Sequence, residues 1–126
     1  MPLVILLIFV ALGTPVHAQD AISTFPQFCE AWMEKLQARE TRNLTNIKWE
    51  TAADGVSGTY IGYSQEHTCA TKNGTHSVQV GKITYRQVRY EKHGVSVDEA
   101  LNRAAQPLDI TEITEIFRYS DGRWVY

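Results

Sequence analysis

Glu66 to His76, EHTCATKNGTH, gathers His67, Cys69 and His76 around an Asn-Gly pair. Imidazole and thiolate are the ligands zinc prefers, so metal binding is the first chemistry to weigh. Zinc sites usually pair their ligands at short fixed spacings, such as Cys-x-x-Cys with His-x-x-x-His. Here one cysteine is local, and the histidines straddle what reads as a tight turn. On a two-residue Asn73-Gly74 loop, Cys69 faces Val78 and His76 faces Thr71, farther toward the tip than His67 and Cys69. That is a poor ligand set, and no metal or cofactor is expected.

The other cysteine gives Cys69 a different use. Cys29 falls on the apolar stripe of a helix, and an even cysteine count in an exported chain invites pairing. A Cys29–Cys69 bond would staple helix to hairpin, with a loop-closure term of roughly 4 kcal/mol. The alternative is two buried thiols that never meet.

A third chemical position is Glu115. It shares a strand face with Ile113 and Phe117, and a carboxyl group among apolar neighbours holds its proton more tightly than one in water. Such a group could serve as general acid or base in a pocket lined by Tyr60, Tyr85 or Tyr90. The plainer alternatives are a solvated Glu115, or an ion pair with Arg86, Arg89 or Arg118. No Gly-x-Ser-x-Gly, phosphate loop or Cys-x-x-Cys occurs.

These residues need elements to hold them. Leu3 to Leu12 is an apolar run, broken by Gly13 and Pro15, and Val16-His17-Ala18 offers small residues at the −3 and −1 positions of a signal-peptidase site. The run is about half of the ~20 residues a bilayer requires. Residues 1–18 therefore read as a cleaved export signal, and 19–126 as one α+β domain with no stable membrane anchor. Thr24 is the predicted N-cap of a helix, with Gln27 as its capping-box partner and Pro26 in the first turn. Phe25, Phe28, Cys29, Trp32 and Leu36 form its inward stripe, ending near Asn43.

The period then changes to two. NIKWET, an Asp54-Gly55 turn and VSGTYIGYS predict a hairpin with Trp49 opposite Tyr60. A long strand runs from Thr75 to about Lys92. Ser96 and Glu99 open a short second helix. DITEITEIFRYS, an Asp121-Gly122 turn and RWVY close the chain, setting Tyr119 opposite Trp124 and Phe117 opposite Tyr126. The expected fold is an N-terminal helix on a curved antiparallel meander sheet of about four to six strands.

Strict alternation places Trp49 and Tyr60 on one face and Cys69 on the other, and Val78 and Val80 against Ile83 and Tyr85. Gly62 and Gly81 sit where those switches fall, so bends are expected near both.

Net charge is −2, which gives no field to steer the chain toward nucleic acid. Asn43 and Asn73 each begin an N-x-[ST] triplet, relevant to glycosylation in a eukaryotic source.

The element order, one helix in a bent antiparallel sheet, resembles the cystatin-like folds and the ketosteroid isomerase superfamily. With its leader and the ending TEITEIFRYSDGRWVY, the chain also looks like small exported bacterial proteins of unassigned activity. Neither resemblance brings site residues with it. The reading reached is a periplasmic or secreted binding protein, more a binder than an enzyme. Trp49, Tyr60, Tyr85, Tyr90 and Trp124 are expected to contact a partner protein, a peptide or a small apolar ligand. The alternative is a small isomerase or dehydratase using Glu115.

Overall fold

A computed structural model describes residues 16–126. Most of the expected export signal lies outside them. Helix α1 (Val16–Thr45) is followed by strands β1 (Glu50–Ala52), β2 (Gly55–Asn73) and β3 (Gln79–Gly94). Helix α2 (Val97–Asn102) precedes β4 (Gln106–Ser120) and β5 (Arg123–Val125). The five strands pair in chain order, all antiparallel, as a curved meander against α1. This is the expected α+β architecture.

The stripe on α1 works as its spacing predicts. Phe25, Cys29 and Leu36 are buried, and Phe28 and Trp32 pack beside them. Their partners are Ile83, Tyr85, Phe117 and Trp124 from the sheet. The centre is aromatic, with the Phe25 and Trp124 rings 4.6 Å apart and the Phe28 and Phe117 rings 4.8 Å apart. The start of the helix differs from expectation. Thr24 lies inside α1, not at its N-cap, and Pro26 lies well past the first turn. The Thr24 hydroxyl donates to the Asp20 carbonyl at 2.6 Å and accepts from the Trp124 indole N–H at 3.2 Å. A hydroxyl used this way joins helix to sheet instead of capping an end.

Two turns come out differently, each because packing overrides local turn chemistry. The loop of the first hairpin is Ala53-Asp54, with Ala52 opposite Gly55. Gly55 instead permits close approach to the Gly94 backbone, where a side chain would collide. That register takes Trp49 away from Tyr60, which pairs with Tyr90, their rings stacked at 5.3 Å.

At the second hairpin, Asn73 pairs with Gln79 around a short 3-10 turn, Thr75–Ser77. Cys69 therefore faces Ile83 instead of Val78, and Thr71 faces Gly81 instead of His76. This alignment sets Gly81 under the Phe25 ring, where no side chain would fit. Asp121 and Gly122, by contrast, both take positive φ at the last turn, and Tyr119 pairs with Trp124 as expected.

The switch of buried parity has a simple cause. β3 pairs with β4 without interruption from Val80 to Arg89, so its pleat does not invert at Gly81. Gly81, Ile83 and Tyr85 lie on the face covered by the first half of α1. Lys92 and Gly94, of the opposite parity, meet α2. Each end of the strand is buried on a different face. The one local break near the predicted sites follows Gly62, where Ser64, Gln65 and Glu66 oppose Arg86 alone.

β1 covers only the first residues of β2. Farther along, α1 shields the strand edge: Glu40 Oε1 accepts from the Tyr63 N–H at 2.8 Å, and Asn43 Nδ2 donates to the Ile61 carbonyl at 2.9 Å. These contacts satisfy backbone groups that would otherwise invite another strand. α2 has Ser96 as N-cap, its hydroxyl accepting from Glu99 N. Its C-terminal carbonyls, of Leu101 and Arg103, accept from the Lys92 ammonium, which is only 7% exposed.

Candidate functional site

The junction of α1 with the β2 break carries most of the chemistry. Cys29 on α1 and Cys69 on β2 form a disulfide with Cα atoms 6.4 Å apart, closing a sequence separation of 40. Cys29 is buried and Cys69 lies on the exposed part of the strand. His67 and Cys69, two apart on β2, share a face, so the imidazole sits beside the disulfide. The His67 ring is oriented by a 2.7 Å contact from Nδ1 to the Gln65 carbonyl. A carbonyl can only accept, so in the neutral ring Nδ1 carries the proton and Nε2 the lone pair. His76 belongs to the hairpin tip, at positive φ, and does not join this group.

Beside the disulfide runs a groove of about 560 Å3 between α1 and the β2 break. Met33, Leu36 and Tyr63 supply apolar surface, and Glu30, Glu34 and His67 supply polar groups. Among the described residues, no Lys or Arg lines it. The helix places Glu30, Met33, Glu34 and Gln37 at spacings of three and four along one wall. The break in β2 displaces Ser64 and Gln65 to make the other. Of these residues, the sequence marks His67 as a possible ligand and Leu36 as part of the inward stripe; an irregularity of three residues opposing one leaves no clear pattern of residue types.

Glu115 occupies a different place. It pairs across the sheet with Ile83, on the face that meets α1. The Tyr85 hydroxyl donates to Oε1 at 2.9 Å, and the Tyr126 hydroxyl donates to Oε2. It is half-buried and lines neither the groove nor the smaller hollow beside Arg86 and Glu66. Of the three arginines proposed as its partners, Arg86 pairs with Glu66 and Arg89 with Asp109, while Arg118 lies opposite Val80 and Val125 in the sheet.

Tyr85 is 5% exposed. Burial first, then its hydrogen bond to Glu115 and that carboxylate's charge, push its phenol well above the ordinary value of 10. The Trp32 indole opposes this slightly, lying near the hydroxyl without completing a hydrogen bond of its own. Because the folded state holds the proton more tightly, this contribution to stability is intact below pH 10 and is lost as pH rises above it. Unfolding free energy followed from pH 9 upward is expected to fall more steeply for the natural chain than for Tyr85→Phe.

The aromatic residues expected to bind a partner are distributed differently. Trp124 and Tyr85 are core residues. Tyr60 and Tyr90 stack on one another, and burial followed by the Glu40 carboxylate raises the Tyr60 pKa. Trp49 is half-buried beside Gly58. Of these residues, Tyr85 is hydrogen-bonded to Glu115. Both triplet asparagines are engaged, Asn43 with Ile61 and Asn73 with Gln79. Among the described residues, no helix is long and apolar enough to cross a membrane. Compared with protein-family models, curated proteins and solved structures, the chain matches none of them.

Proposed function

We propose that this protein is a binding module of a non-reducing, extracytoplasmic space, and that the groove between α1 and the β2 break is its ligand site. The occupant that fits is an extended peptide segment in which an apolar side chain adjoins Lys or Arg. One observation carries this reading: a groove of about 560 Å3 combines Met33, Leu36 and Tyr63 with the carboxylates of Glu30 and Glu34 and, among the described residues, has no lining Lys or Arg. An apolar floor rewards burial of a side chain. Two acids on one wall favour a cation over an anion, with an attraction that salt weakens. The Cys29–Cys69 bond supports the choice of compartment, and the export signal read in residues 1–18 agrees with it. Glu115 has no part in this function; with both oxygens taken by tyrosines it acts as a structural acceptor.

Calorimetric titration with an amidated Leu-Lys-Leu-Lys peptide tests the assignment. Saturable binding is expected, weakened roughly tenfold by Glu30→Gln with Glu34→Gln, a loss of about 1.4 kcal/mol. Equal affinity for Leu-Glu-Leu-Glu, or no effect of the double substitution, would refute it.

A further inference from the structure

We propose that Cys29, Cys69 and His67 form a second cross-link between helix and sheet: when the disulfide is reduced, the three side chains bind a zinc-class divalent cation. Both sulfurs and an imidazole nitrogen already lie within 4.8 Å of one another. Tetrahedral zinc, with bonds of about 2.3 Å to sulfur and 2.0–2.1 Å to nitrogen, needs its ligand atoms roughly 3.5–3.8 Å apart. The Cα separation of 6.4 Å is toward the wide end of what a disulfide spans. Side-chain rotation can therefore open room for an ion while the backbone stays in place.

The imidazole is prepared for this role. Its Nδ1–H is tied to the Gln65 carbonyl, the usual outer partner of a metal-binding histidine, which fixes the tautomer and leaves Nε2 to bind. The three ligands come from both elements that the disulfide joins, so the ion would replace the covalent staple.

Loading follows a balanced sequence. A dithiol passes two electrons and two protons to the Cys29–Cys69 bond, giving two thiols as the dithiol itself closes to a disulfide. The cation then displaces one proton from each thiol and takes the lone pair of His67 Nε2, with water in the fourth position.

The test uses the full chain, reduced anaerobically with dithiothreitol, freed of reductant and dialysed against zinc chloride, with helicity followed by circular dichroism. One zinc per reduced chain and none per disulfide chain are expected. His67→Ala, its fold checked in the disulfide form, is expected to weaken zinc binding by roughly tenfold or more. If reduction unfolds the chain, restoration of helicity by zinc supports the proposal, and failure to restore it overturns it. A reduced chain that stays folded yet retains no zinc, or binds it equally well as His67→Ala, also overturns it.

Discussion

Replacing both Cys29 and Cys69 by alanine is expected to lower the unfolding free energy by about 4 kcal/mol. The bond closes a separation of 40 residues, and releasing a loop of that size gives back roughly 13 cal/mol/K of chain entropy to the unfolded state. In a domain of this length the loss corresponds to a melting temperature lower by roughly 15 °C. Few single features of so small a core can match it. Thermal unfolding of the natural chain with and without reductant, beside the double variant, measures the effect. Reduction should lower the natural chain to the variant's value. A shift of only one or two degrees would mean that noncovalent contacts suffice to hold α1 to the sheet.

Phe25→Ala is expected to cost about 3–5 kcal/mol, the usual range for emptying an aromatic site in a core. Phe25 is 1% exposed and lies between Trp124, Phe28 and Gly81. Gly81→Ala in the natural chain pushes a methyl into that ring, at a cost of roughly 1–3 kcal/mol. Together they should cost less than their sum by about 1 kcal/mol or more, because the Phe25 truncation vacates the space the new methyl needs. Denaturant unfolding of the four proteins gives that coupling directly. Strict additivity would show that α1 does not sit on β3 at Gly81.

The same contact shows what could be read in the sequence. The α1 stripe was legible because Phe25, Phe28, Cys29, Trp32 and Leu36 repeat at helical spacing and are contiguous in the chain. The Cys29–Cys69 pair was legible from cysteine count and the inward place of Cys29. The final turn was legible because Asp121-Gly122 adopts the positive φ values its residue types favour.

The second hairpin was not. Asn73-Gly74 suits a two-residue turn, but the alignment is chosen by long-range packing that brings Gly81 beneath Phe25 and Cys69 opposite Ile83. That change of register keeps His76 apart from His67 and Cys69, and the third member of their group is Cys29. The inverted parity of β3 has a comparable origin. Alternation records which face is buried, and it cannot reveal that α1 and α2 bury opposite faces of one strand. Tyr126 as a partner of Glu115 was likewise hidden. It depends on β5 folding back along β4, although the proposed pairing of Phe117 with Tyr126 pointed to that neighbourhood and the rings do meet at 5.3 Å.

The groove joins these elements, since α1 supplies its acids, the break in β2 its opposite wall, and the disulfide holds the two together. The outer side of β4 offers a rival surface, with Ile110 62% exposed and Ile116 58% exposed. Amide chemical-shift mapping of the nitrogen-labelled, disulfide-intact chain during titration with Leu-Lys-Leu-Lys distinguishes them. Occupation of the groove predicts shifts concentrated at Glu30, Met33, Gln37, Ser64 and His67, with Ile110 and Ile116 unmoved. Shifts centred on Ile110 and Ile116, with the α1 and β2 walls silent, would contradict it.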